Sequence, residues 1–439
     1  MHTHAPASSP GVPFRSLVMT ASRLAGLSLA AATLLILPAC DWITGSEGPG
    51  PTPAEITELP RALTPAESQV LRASTGFGLE LLRQMVSEKP DSTHLVSPFS
   101  ASMALGMALN GADGTTFDEM RTTLGFGTLD RDEINRSYRD LLELLLALDP
   151  AVSFSVANSV WYDQVWTLRP SFRDAVNAHF GARVEGINFR DPGASGRINA
   201  WVKDATRGRI PEIAPDPIPE DAVAYLINAL HFLGDWREAF DPADTRDHQF
   251  TGQDGSTTPM RLMQREGKIR GTQWQGHQAA DLPYGGAAWS MTVVLPRAGA
   301  TVQDLLAELD AEGWEALTSG FTEYRGILGL PRFTVEWEGG LNAALSRMGM
   351  PTAFSPMGAD FSRLFVEDAD LYLSDVRQKT FMRVDERGTE AAAVTSVEVS
   401  VTSMPPSFIV DRPFLLAIRE RHSGTVLFLG AMVEPPTAG

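Results

Sequence analysis

The chain has 439 residues, 43% hydrophobic and 21% charged, an ordinary globular mixture long enough for one large domain or two smaller ones. With 54 acidic against 36 basic residues the formal charge is −18, which argues against a nucleic-acid partner because phosphate binding needs clustered Lys and Arg. No break in composition interrupts residues 64–435, so one large domain is expected there.

The chain opens on a targeting segment. Arg15 and Arg23 precede the apolar run Leu24 to Leu37, which ends in Leu37-Pro38-Ala39-Cys40. A basic region, a short apolar core and small residues before a cleavage point mark a secretory signal, here residues 1–39. The run is about fourteen residues, short for a helix spanning a ~30 Å hydrocarbon core. The cysteine behind it, the only one in the chain, resembles the lipobox cysteine of bacterial lipoproteins, which makes Cys40 the expected lipid anchor. A plain secretory signal is the alternative, because Pro38 is unusual at that place, and Met19 is a second candidate start. Residues 40–63 include Gly45-Ser46-Glu47-Gly48-Pro49-Gly50-Pro51-Thr52-Pro53 and read as a flexible linker. Export follows, with the protein either membrane-anchored through Cys40 on the extracytoplasmic side or secreted. An acylated Cys40 leaves no thiol, so nothing in the fold is redox-linked.

Thr64-Pro65-Ala66-Glu67 carries a hydroxyl cap, a first-position proline and an early acid, and Phe77, Leu81 and Met85 repeat by four along one face of the helix that follows. Helices are also predicted over 101–110, 131–148 and 170–180. Strand-like runs fall at 153–160, 222–230, 291–295, 327–335 and 414–418, and Arg421-His422-Ser423-Gly424 reads as the turn of a terminal hairpin ending in strand 425–429. Helices first and strands later indicate an α+β fold. Enzyme signatures are missing: there is no Gly-x-Ser-x-Gly elbow, His-Glu-x-x-His, phosphate loop or Gly-x-Gly-x-x-Gly. Gly193-Ala194-Ser195-Gly196 is one residue off the elbow, the mature histidines have no metal-ligand spacing, and no cofactor or metal is implied.

The stretch from Gly388 to Pro413 reads both as a strand and as a loop. Thr389, Ala391, Ala393, Thr395, Val397, Val399 and Val401 are small or apolar and uncharged, whereas Glu390, Ala392, Val394, Ser396, Glu398, Ser400 and Thr402 are mostly polar. That alternation buries one face and wets the other, as in a long strand. Yet the stretch opens at a glycine, has no aromatic anchor and closes on Pro405-Pro406, which cannot sit inside a sheet. A segment with both characters suggests a conformational switch.

Glu386-Arg387-Gly388-Thr389-Glu390-Ala391-Ala392-Ala393 resembles the reactive-loop hinge of the serpins, the serine-protease-inhibitor family. The resemblance extends over roughly residues 65–435, through Ser97-Pro98-Phe99-Ser100, Asn110-Gly111-Ala112, Asn199-Ala200-Trp201-Val202, the block Asn228 to Trp236, Leu282-Pro283-Tyr284, Leu330-Pro331-Arg332-Phe333, Asp411-Arg412-Pro413-Phe414 and Leu427-Phe428-Leu429-Gly430. It implies a serpin domain at 64–439 with about three β-sheets, a helical cluster and an exposed reactive-centre loop at about 386–412. It implies no catalyst but a monomeric suicide substrate, whose partner is a target serine protease. Cleavage of the loop lets hinge residues Gly388, Thr389, Glu390, Ala391, Ala392, Ala393 and Val394 lead residues 388–402 into the main sheet. One charge on the inward face would cost several kcal/mol when buried, and that face carries none.

The resemblance also assigns Glu386, Arg332 and Trp236 to a latch at the top of the main sheet, and Ser97, Ser100, Asn228 and Gln378 to a polar shutter beneath its centre. The family usually has a histidine where Gln378 stands, and an amide donates and accepts without titrating. Loop length places the scissile bond at Thr402-Ser403. No Lys or Arg occurs between Thr389 and Asp411, and Val399-Ser400-Val401-Thr402 suits an elastase- or subtilisin-like protease. The alternatives are a non-inhibitory carrier or chaperone of the same family and an extracytoplasmic hydrolase.

Overall fold

The computed structural model describes residues 52–389 and 405–434, all within a compact unit that begins at Gly48. Its first half supplies α1 (Pro65–Glu88), β1 (His94–Val96), α2 (Pro98–Gly111), α3 (Gly114–Thr123), α4 (Arg131–Leu146), β2 (Val152–Asp163), α5 (Pro170–Phe180), β3 (Arg183–Ile187), α6 (Ala194–Ala205) and β4 (Ala224–Asp235). The second half adds β5 (Arg246–Thr251), β6 (Thr257–Trp274), β7 (His277–Pro283), β8 (Trp289–Leu295), α7 (Val302–Glu308), α8 (Ala311–Ser319), β9 (Thr322–Pro331), β10 (Phe333–Gly340) and α9 (Asn342–Met348). It closes with β11 (Arg377–Val384), β12 (Gly388–Thr389), β13 (Ser407–Ile409), β14 (Phe414–Glu420) and β15 (Val426–Met432).

The fold is α+β, as the order of elements predicts. Helix α1 begins where the sequence places it: Thr64 Oγ1 accepts the Glu67 N–H, the Glu67 carboxylate accepts the Thr64 N–H at 2.7 Å, and Phe77, Leu81 and Met85 are buried. Among the described residues the strands form three sheets. A nine-stranded sheet runs β1-β15-β14-β8-β7-β6-β9-β13 with β5 beside β6, a four-stranded one runs β12-β4-β2-β3, and β10 pairs with β11. A large apolar core joins α1, α2, α4 and α5 to strands β8, β14 and β15. A smaller cluster, including Trp161, Ile198, Val202, Ile210 and Ile227, packs α6 and the chain after it on one face of β2 and β4.

Three expectations are corrected. The run 327–335 is two strands in two sheets: β9 pairs with β6 as far as Pro331, and β10 begins at Phe333 against β11. The chain turns between them at Arg332, whose N–H donates to Arg261 O at 2.9 Å. The bounds of the loop expected at about 386–412 are narrower, because Glu386, Gly388 and Thr389 are buried and Ser407–Ile409 pairs with β9, while residues 390–404 lie outside the described residues. Finally, residues 52–63 of the linker lie against the domain, where Ile56, Leu59 and Leu63 pack on its core. Arg61 ion-pairs there with Glu67 at 2.6 Å, so the hydrophobic spacing at 56, 59 and 63 outweighs the Gly/Pro character read from residues 45–53.

Candidate functional site

Strands β4 and β11 face each other across a slot, lined by Asn228, Leu230 and Phe232 from β4 and by Gln378, Thr380 and Phe381 from β11. Among the described residues β4 pairs on that side only with β12, and β11 pairs only with β10 and, through Asp385, at the turn. Ser97 and Ser100 form the floor, and Thr206, Arg209 and Ile210 reach over it from the chain after α6, with the Arg209 guanidinium 5.0 Å from the Phe381 ring centre.

The slot is headed by a tight turn. Asp385 N–H donates to Gly388 O (3.0 Å) and Gly388 N–H to Asp385 O (3.3 Å), which sends the chain back down beside β4 with Gly388 opposite Asp235 and Thr389 opposite Gly234. Only glycine fits at 388. Its φ is +149°, and a Cβ would lie 2.2 Å from Gly234 O and 2.7 Å from Asp235 Cα, both backbone atoms that cannot give way. Trp236 fixes the turn from beneath: its indole N–H donates to Asp385 O (2.9 Å) and its backbone N–H to Arg387 O (2.7 Å). The Trp236 ring stacks on Tyr284 at 4.4 Å, and the hydroxyls of Tyr284 and Thr389 lie 3.0 Å apart. Burial pushes the Tyr284 phenol far above its ordinary pKa, so that hydroxyl stays protonated. Asp235 is exposed, yet partial desolvation at the mouth and then the Asp385 charge raise its pKa, with Arg387 offsetting part of the shift.

Glu386 is buried, and its carboxylate accepts the Thr245 hydroxyl at 2.7 Å. Arg332 approaches it only to 3.9 Å and is 43% exposed in its side chain, so the hydroxyl is the closer partner and the ion pair is worth ~0–1 kcal/mol. At the floor, Ser97 N–H donates to Gln378 Oε1 (2.9 Å) and Gln378 Nε2 donates to Ser97 O (3.1 Å), a two-point clamp that an amide makes without a charge. Ser97 Oγ donates to Leu427 O at 2.6 Å, and Ser100 N–H reaches Ser97 Oγ at 3.4 Å. Asn228 Nδ2 donates to Asn158 Oδ1 at 2.7 Å, while its own buried Oδ1 has no hydrogen-bond partner among the described residues.

A family model described as serpin (serine protease inhibitor) matches residues 72–435. The chain is a serpin. It is 35% identical over 374 residues to Iripin-1 of Ixodes ricinus, covering 82% of this chain and 93% of that one. It is 29% identical over 391 residues to antithrombin-III of Homo sapiens, covering 86% and 84%. Among solved structures human thyroxine-binding globulin superposes with a TM-score of 0.77 at 27% identity, covering 85% of this chain and all of that one.

In this serpin Ser97, Ser100, Asn228 and Gln378 all line one slot, and at its head Arg332 approaches Glu386 while Trp236 bonds to the residues on either side of Glu386. Gly388 and Thr389, the first two residues of the expected hinge, are paired with β4. Glu390, Ala391, Ala392, Ala393 and Val394, the bond Thr402-Ser403 and Cys40 lie outside the described residues. Sequence reasoning missed Tyr284, Thr245 and Asn158. Tyr284 sits in a family block, Leu282-Pro283-Tyr284, but nothing local says that its hydroxyl faces Thr389, 105 residues on. Ser195, in the near-elbow, is buried and donates to Ala214 O at 3.1 Å.

Proposed function

We propose that this serpin is a suicide-substrate inhibitor of an elastase- or subtilisin-like serine protease. The protease serine attacks the Thr402 carbonyl carbon, the Thr402–Ser403 bond breaks, Ser403 leaves as a free amine, and an ester joins the protease to Thr402. Residues 388–402 then insert between β4 and β11 before water cleaves the ester, and the trapped enzyme is distorted. One observation carries the reading: Gly388 and Thr389, the first two residues assigned to the hinge, are buried and paired with β4 at the head of an open slot, and the alternate positions that follow Thr389 in the sequence are uncharged. Loop insertion of this kind is a form of strand addition. The role of Glu386, Arg332 and Trp236 is to hold the head of the slot, and that of Ser97, Ser100, Asn228 and Gln378 is to part beneath it.

The carrier reading has support in the likeness to thyroxine-binding globulin, solved in complex with thyroxine. Mixing the protein with an elastase-like protease and running a denaturing gel separates the readings. A stable covalent complex is the expected result. A clipped chain beside active protease would favour the carrier, and turnover of an added substrate would favour a hydrolase, for which Ser195 is poorly placed. Thr402→Arg should redirect inhibition to trypsin, and the released fragment should begin at Ser403. A start more than two residues away would move the scissile bond.

The serpin is exported, and we assign residues 1–39 to its signal and Cys40 to lipid attachment. Cys40→Ser should leave inhibition intact but shift the protein from the membrane fraction to the soluble one, because stable anchoring takes more than one acyl chain at ~0.8 kcal/mol per buried methylene. Equal partitioning of the two forms on fractionation would mean plain secretion.

A further inference from the structure

We infer that residues 52–63 form a strap that holds the mouth of the main sheet in its uninserted state; this deepens the inhibitor reading and rests on it. The strap grips the residues that position Trp236 and Tyr284. Ile56 N–H donates to Gly286 O at 2.7 Å, and Ile56 O accepts from His422 Nε2 at 3.0 Å, so this one residue is bonded on both sides. Three residues earlier, Pro53 O accepts from Arg237 Nη1 at 2.9 Å, and the same nitrogen donates to Gly285 O at 3.0 Å.

The short loop 284–287 therefore has two faces. Outside, the strap holds Gly285, through Arg237, and Gly286. Inside, Tyr284 stacks on Trp236 and its hydroxyl meets Thr389, while Trp236 holds Asp385 O at the turn. The loop holds one strained residue: Ala287 has φ +66°, a conformation its β-carbon disfavours, whereas Gly285 takes its φ of +42° freely. Such a backbone persists only where its surroundings over-determine it, and Ile56 is one of those constraints. Its Cδ1 lies 3.0 Å from where a Gly286 side chain would start, so the strap also packs closely against this glycine. Losing the strap frees this loop to move Tyr284 and Trp236, and with them the seat of Thr389.

The test uses the full chain carrying Ile56→Asp, with His422→Ala as a second variant that removes a strap donor from the other side. Each is incubated without protease, and two quantities are followed: the share of chain still able to trap an elastase-like protease, and resistance of the intact chain to urea. Both variants should trap normally at time zero, then lose activity at least tenfold faster than the parent. The uncleaved product should become more resistant to urea, as insertion of the loop requires. An unchanged rate of loss in both variants would overturn the strap, and so would faster loss to a product that is less resistant or aggregated, because that is simple destabilisation. The urea readout needs no protease. If the parent traps nothing at all, the inhibitor reading falls, while the effect of the strap on insertion is still measured.

Discussion

Thr389→Arg should turn the protein from an inhibitor into a substrate: the protease cuts the loop at an unchanged rate and walks away. Thr389 is only 6% exposed, sits opposite Gly234 and meets the Tyr284 hydroxyl above the Trp236 stack. On the Gly234 side a guanidinium finds little room, because Tyr284 atoms already come within 3.2 Å of where a Cβ on Gly234 would be. Asp235 offers no rescue, since successive strand residues face opposite sides and it stands one position from Gly234. A buried cation without a partner costs at least ~3 kcal/mol, which slows insertion by on the order of a hundredfold. Titrating protease against the variant and running the products on a denaturing gel reads this directly: cleaved chain should accumulate and covalent complex should nearly vanish. Unchanged stoichiometry would mean that residue 389 does not lead the insertion.

The second large effect is on stability. Asp281 is fully buried and is the common counter-ion of three arginines: Arg419 at 3.1 Å, Arg421 at 3.6 Å and Arg270 at 3.8 Å. Ser290 and Thr292 donate hydroxyls to it at 2.7 and 2.8 Å. Asp281→Ala leaves the Arg419 side chain, only 4% exposed, without its charge partner, and breaking such a pair costs ~3–5 kcal/mol. Against a total of ~5–15 kcal/mol for a folded protein that is a large fraction, and the urea midpoint should fall accordingly. Exchanging both partners, as Asp281→Leu with Arg419→Met, should recover part of the loss, because the buried charge then goes with its partner. A midpoint unmoved by Asp281→Ala would show that water already solvates these guanidiniums.

The fold was legible where local signals agreed with tertiary context. Thr64-Pro65-Ala66-Glu67 starts α1, residues 170–180 form α5, and the runs 153–160, 291–295 and 414–418 lie within longer strands. Strand β6 escaped because it changes partners along its length, from β5 to β7, while β9 lies along its other side. Its buried face carries no steady alternation, and Lys268 and Arg270 find their acids on neighbouring strands. At the site, the expectation of a hinge rests on residue type alone, a glycine and then small uncharged alternate positions, and of these the structure describes Gly388 and Thr389, both paired with β4. What fastens them was not readable there, because Tyr284, Thr245 and Ile56 act across the chain from the turn they steady. The Arg332–Glu386 pair shows the converse, two residues brought together more loosely than Glu386 and Thr245.

The turn between Asp385 and Gly388 has a consequence for timing. Starting a new strand in a sheet ordinarily means closing a loop and ordering its first residues before any pairing repays them. Here that start exists before any protease arrives, since the turn is closed and two residues are paired. Insertion, on the proposed mechanism, is then growth from a formed nucleus, and even a whole hairpin forms in ~1–10 μs. Release of the protease by water competes on a scale of milliseconds or longer if it follows typical turnover of ~1–10³ s⁻¹. On the proposed inhibitory mechanism the race is weighted toward capture before it begins, and what would slow the winner is the bulk of the enzyme it must drag. Substitutions should therefore matter most beside the turn and progressively less toward Thr402, a gradient set by the order in which residues join the sheet.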